Sequence, residues 1–196
     1  MTIIIHGFGS AGKGGKAMLF REYFKSRGNP CIAPSLSYVP ELAIDTLEQL
    51  IESYEEVTLV GSSLGGYYAI YLAEKYGLKA VLINPAVNSS ETLKRALAMG
   101  GMARNYYDNT EFTWNENHVE MLQKYRVDEV KNGEYLLLLQ TGDDVLDYKD
   151  AVVKLPHVET VIEEGGTHPF KGVERYFERI VAFMEEKKCN LIIKNI

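Results

Sequence analysis

The chain has 196 residues, 46% apolar and 24% charged, with a formal net charge of −6. This is the profile of one globular domain that can bury a core without disulfides or metals. The acidic balance, with no basic stripe, argues against a nucleic-acid partner. No apolar run reaches the length of a membrane span, so no membrane association is expected. Cys31 and Cys189 lack metal-like or redox-like spacing and suit a reducing compartment as small buried hydrophobes. The N-terminus opens directly into a strand pattern with no basic leader, and the expected location is cytoplasmic.

Short apolar runs alternate with longer helical patterns, which predicts a parallel sheet with helices on both faces. Strands are expected at 2–6, 30–33, 57–60, 79–83, 135–140 and 158–162. Helices are expected at 13–27, 41–54, 64–76, 147–153 and 173–187. The first strand runs into His6-Gly7-Phe8-Gly9-Ser10-Ala11-Gly12-Lys13. Its glycine spacing resembles both a dinucleotide fingerprint and a shortened phosphate-binding loop. Gly14 stands where a phosphate loop needs Ser or Thr for Mg²⁺. Ala33-Pro34-Ser35-Leu36 carries no acid for a ribose at the end of the second strand. The remaining reading is a loop whose Phe8 N–H faces an oxyanion, with His6 shaping the turn.

Val57-Thr58-Leu59-Val60 followed by Gly61-Ser62-Ser63-Leu64-Gly65 and an apolar-aromatic helix is the setting of a nucleophile elbow. In that turn Gly61 and Gly65 relieve crowding around Ser63, and the Leu64 N–H lies at a helix N-terminus facing a developing oxyanion. The competing view makes Ser62 or Ser63 a plain helix cap.

Asn84-Pro85-Ala86 closes the fourth strand at the same sheet edge. The connection that follows, 87–133, is too long for a simple crossover and is expected to form a cap over the site. It carries helices near 90–99 and 115–125. Of its aromatics Tyr106, Tyr107, Phe112 and Trp114, which could line an acyl pocket, the last three, with Tyr67 from the helix after Ser63, are the candidates put forward; a small satellite core would explain the aromatics equally well. The fifth strand ends in Thr141-Gly142-Asp143-Asp144, and Asp147 reads as a helix cap, leaving Asp143 without a structural explanation. The sixth leads to Gly165-Gly166-Thr167-His168. Ser63, Asp143 and His168 thus fall at the C-terminal ends of successive strands, in the order nucleophile, acid, base.

These residues, with His6-Gly7-Phe8, Gly66-Tyr67-Tyr68 and Val145-Leu146-Asp147-Tyr148, resemble the α/β-hydrolases, and among them the family of the small bacterial esterase YqiA. The likeness implies a three-layer α/β-hydrolase fold with a sheet of about six mostly parallel strands and a short helical cap. It also implies hydrolysis of small-molecule acyl esters or thioesters by a Ser63–His168–Asp143 triad, with no cofactor and no metal. It is weak across the cap and after Lys187. Two rival readings stay open: nucleotide binding through the Gly7–Lys13 loop, and a non-catalytic binding protein on the same fold. Homo-oligomerisation is left open, and the apolar tail from Cys189 to Ile196 suits packing on the body or on a second subunit.

Overall fold

The computed structural model describes residues 1–97 and 100–186. In chain order the elements are β1 (Thr2–Ile5), α1 (Gly15–Ser26), β2 (Cys31–Ile32), α2 (Pro40–Glu52), β3 (Thr58–Ser63), α3 (Leu64–Tyr76) and β4 (Lys79–Pro85). Then follow α4 (Ser89–Leu97), β5 (Met102–Arg104), β6 (Glu111–Thr113), α5 (Glu116–Gln123), β7 (Glu134–Gln140), α6 (Tyr148–Lys154) and β8 (Glu159–Glu163). A 3₁₀ turn, Val173–Tyr176, leads into α7 (Phe177–Glu185). Met99, Lys187 and the tail from Cys189 to Ile196 lie outside the described residues.

Six strands form one sheet in the order β2-β1-β3-β4-β7-β8, every pair parallel. Helices bury both faces, so the strands read as near-continuous apolar runs. Side chains alternate between the two faces with period two. Ile3, Ile5, Leu59, Leu82, Leu137 and Leu139 pack with α2, α3, α5 and α6. Ile4, Val60, Val81, Ile83, Leu136 and Leu138 pack under α1 and α7. The chain leaves β1 for β2 on one side and reaches β3 on the other. The loops after β1 and β3 therefore diverge and leave a crevice beyond their C-terminal ends, the usual ligand position in such sheets.

The connection between β4 and β7 differs from the expected helical cap. It contains the antiparallel pair β5–β6 besides α4 and α5. Three-residue strands are too short for a period-two pattern. Their turn is set by polar residues, with Asn105 N–H donating to Thr110 O, Asp108 Oδ1 accepting from Thr110 N–H, and Asn109 at φ 62°. Nor does the whole segment overlie the site. Trp114, Val119 and Leu122 belong to the central core, and Tyr67 Oη donates to Leu122 O at 2.7 Å. Cys31 is half-buried rather than buried, with burial raising its thiol pKa. Among the described residues no helix is long and apolar enough to cross a membrane.

Candidate active site

Ser63 ends β3 and directly precedes α3, at φ 54° and ψ −123°, a conformation sparsely populated for a side-chain-bearing residue. The turn closes only because its glycines admit very close backbone. A Cβ at Gly65 would meet the Ile5 carbonyl oxygen at 2.1 Å, and one at Gly61 the Gly65 carbonyl oxygen at 2.4 Å. The crowding relieved is thus between strands and turn rather than around the serine itself. Ser63 makes no side-chain cap bond to α3. Its Oγ lies 3.0 Å from His168 Nε2.

His168 Nδ1 lies 3.0 and 2.9 Å from Asp143 Oδ1 and Oδ2. The Asp143 side chain is 3% exposed. Burial pushes its pKa up, but the His168 bond, the Leu146 and Val145 N–H groups and the His168 charge together hold it below the usual aspartate value. An ionised Asp143 accepts a hydrogen bond from Nδ1–H, which leaves Nε2 as an acceptor for the Ser63 hydroxyl. Asp147 instead caps α6, accepting from Lys149 N–H at 3.0 Å, and Asp144 is exposed.

Two buried amides that the sequence reading assigned no role hold this arrangement. Asn84, at φ 40°, donates from Nδ2 to the Thr167 and His168 carbonyls, both at 3.1 Å, and accepts from Gln140 N–H at 3.0 Å. Gln140 Oε1 accepts from the Thr167 and Lys171 N–H groups while Nε2 donates to Lys171 O and Glu163. Each directly follows an apolar run, Ala80–Ile83 in β4 and Leu136–Leu139 in β7, a signal visible in the sequence.

The loop after β1 lies against the serine. A Cβ at Gly7 would sit 3.0 Å from Ser63 Cβ. His6 clamps the loop: its Nδ1–H donates to Gly7 O and its Nε2 accepts from Leu36 N–H. Burial lowers its pKa, against the Gly7 bond, which keeps it a neutral spacer. The Phe8 ring packs edge-on against Phe112 and Trp114, with centroids at 5.5 and 4.8 Å. Leu64 is the first residue of α3, so its N–H has no intrahelical acceptor. In the same loop the Ser10, Gly12 and Gly14 N–H groups donate to Gly7 O, Ser35 Oγ and Ala11 O. These amides are turned inward, not gathered into a phosphate cradle.

Two cavities meet at Ser63. One of about 460 Å³ is lined by Ile4, Phe20, Val60, Ile83, Lys16 and Ser62, among others, and runs between the sheet and α1. A smaller one, about 180 Å³, is bordered by Thr92, Leu93, Ala86 and Leu146. Phe8, Tyr106 and His168 border both. None of the expected pocket residues lines either. Tyr67, Phe112 and Trp114 are core side chains, and Tyr107 is half exposed beyond the rim. The aromatic that does reach the site is the neighbour, Tyr106, whose N–H donates to Gly9 O at 2.7 Å. Both tyrosines are exposed, and it is this contact between distant loops, which composition cannot reveal, that sets Tyr106 at the edge of the cavities. Among the described residues no group of three or more His, Cys, Asp or Glu side chains is placed to hold a metal ion.

Solved structures share this architecture at low identity. Est1E from Butyrivibrio proteoclasticus, in a complex with ferulic acid, superposes with a TM-score of 0.74 at 15% identity, covering 93% of this chain and 87% of that one. Alpha/beta hydrolase domain-containing protein 10 from mouse gives a TM-score of 0.72 at 17% identity, covering 92% and 86%. The fold is that of the α/β-hydrolases. In sequence, a UPF0227 protein of Pasteurella multocida (strain Pm70) is 24% identical over 191 residues, covering 94% of this chain and 99% of that protein. The family model described as "Uncharacterised protein family (UPF0227)" matches residues 1–185, and the chain belongs to that family.

Proposed function

We propose that this protein is a serine hydrolase that cleaves small carboxylic esters or thioesters through an acyl-enzyme. The observation that carries the reading is the linear relay from Asp143 through His168 to Ser63 Oγ, with contacts of 2.9 and 3.0 Å at the mouth of a cavity. Ser63 Oγ attacks the acyl carbon while His168 Nε2 takes its proton. The Phe8 and Leu64 N–H groups receive the oxyanion. The tetrahedral intermediate collapses as His168 protonates the departing alcohol or thiol. Water, deprotonated by the same nitrogen, then releases the acid and restores Ser63. Asp143 fixes the imidazole tautomer throughout. The strained φ of Ser63 supports the assignment, since a capping serine needs no such conformation.

A fluorophosphonate probe followed by peptide mapping tests this reading. The label is expected on Ser63, lost in Ser63→Ala and kept in Ser62→Ala. A folded wild-type protein that neither takes the label nor hydrolyses a nitrophenyl ester would make the fold a binding scaffold instead.

A further inference from the structure

Lys16 is the feature of the larger cavity that the triad does not use. It stands in the first turn of α1, where the helix dipole disfavours a cation. That turn has no acidic residue, and the N-cap, Gly14, makes no side-chain bond. Its neighbours on α1, Ala17, Phe20 and Phe24, are ordinary core residues, and a further apolar side chain would satisfy packing at this position. The ammonium instead enters the cavity beside the nucleophile, donating to Ser62 Oγ at 2.5 Å. An ammonium carries three donors, and among the described residues no carboxylate forms an ion pair with this one. Asp143 acts on it only through space, its oxygens being taken by His168, Val145 and Leu146. Burial pulls the Lys16 pKa down to about 8 and Asp143 opposes this, so the group is still mostly charged at neutral pH. The rest of the lining is largely aliphatic and aromatic, with Ser10, Ser62, Ser63, His6, His168 and the Tyr106 hydroxyl as its other polar groups.

We propose that Lys16 and Ser62 form an anion-recognition subsite, and that the ester or thioester cleaved at Ser63 carries a single carboxylate on the arm that fills this cavity. One ammonium, carried on the first turn of α1 where the helix dipole favours an anion, and one hydroxyl match one carboxylate. A phosphate dianion would bring a second charge into apolar walls with no second cation. The inference rests on the serine-hydrolase reading, and it narrows the substrate class to half-esters of dicarboxylic acids or esters of hydroxy acids.

The test compares kcat/KM for nitrophenyl half-esters of adipic and suberic acids with the neutral hexanoate and octanoate. A second pair, the butyrates of 3-hydroxybenzoate and of phenol, places the charge on the other arm. A charged hydrogen bond of this kind corresponds to a preference of about tenfold or more for the carboxylated member of one series. That ratio is expected to fall towards one in Lys16→Met and to persist in Lys16→Arg. No preference in either series, or one that survives Lys16→Met, overturns the proposal. If Lys16→Met does not fold, wild type decides. The nitrophenyl ester of 6-aminohexanoate must then be poorer than the hexanoate, and equal rates overturn the subsite. If wild type hydrolyses no ester at all, the hydrolase reading fails separately. Calorimetric titration with monomethyl adipate then decides the subsite, with binding to wild type supporting it and no binding overturning it.

Discussion

At the scale of single residues, the chemistry depends on side chains whose neighbours fix their protonation. Asp143 lies below the ordinary aspartate pKa because His168 and two backbone N–H groups outweigh its burial. Asp143→Asn removes the acceptor that selects the Nδ1–H tautomer. It is expected to lower kcat by about 10⁴-fold with the fold intact. Asp147→Ala, in contrast, loses a helix cap and is expected to cost about 1 kcal/mol of stability with little effect on rate; urea unfolding and ester kinetics on the two variants separate the roles. Lys16 has the opposite sign from a typical lysine that gains a partner. Its pKa is about 8 when folded, against 10.5 for the free group. Between those values the unfolded chain holds more protons than the folded one, so this group's contribution to stability rises with pH. The stability difference between wild type and Lys16→Met is therefore expected to shift in favour of wild type from about pH 8 to about pH 10.5. A pH-independent difference in urea midpoints would remove the buried-ammonium account.

At the scale of elements, each part of the site hangs from a strand end, and the strand ends are tied to one another by buried amides. Asn84 near the end of β4 donates to the Thr167 and His168 carbonyls and accepts from the N–H of Gln140, the last residue of β7. Asn84→Ala frees the loop that aims the imidazole and leaves a buried N–H of Gln140 unpaired. A misplacement of about 1 Å at a reacting group costs about 10²-fold in rate. Asn84→Ala is expected to lower kcat by 10- to 100-fold by that estimate, with KM changed much less. Steady-state kinetics at saturating ester reads this directly. A fall in KM-dependent terms alone would mean the asparagine supports the fold and not the histidine. Phe112 and Trp114 pack on the Phe8 ring and so brace the loop after β1 that lies against Ser63.

At the scale of the molecule, several carboxylates share one electrostatic direction. For Glu74 burial raises the pKa, but the Tyr135 hydroxyl and the N–H groups of Asn132, Lys131 and Gly133 lower it further than burial raises it. Asp143 is also lowered on balance. Groups with depressed folded pKa values contribute stability that is complete above their unfolded values, about 3.9 for Asp and 4.3 for Glu, and is lost as pH falls through the folded ones. The urea midpoint is expected to drop on acidification below about pH 4, and Glu74→Gln to make that drop shallower. An identical acid limb in the variant would show that the Glu74 cluster adds nothing to folding.

The sequence by itself determined the six strands of the sheet, the two-sided burial and the approach of Ser63, Asp143 and His168 to one edge. Those features rest on local signals: β-branched and aliphatic runs, glycines that only a sharp turn requires, and polar residues placed just beyond strand ends. The same was true of the Asp147 cap, since a cap bonds within three residues of itself. Tertiary structure decided what depends on distant segments meeting. The β5–β6 pair was too short to carry a periodic signal. Of two adjacent tyrosines, both exposed, Tyr106 rather than Tyr107 borders the cavities, because its N–H bond to Gly9 O holds it against the loop after β1. Lys16 gave no sign in the chain, since a lysine on a helix is normally solvated. Only the packing of α1 over β1 and β3 brings its ammonium to Ser62, and the low dielectric of that cleft turns an ordinary surface charge into a recognition element.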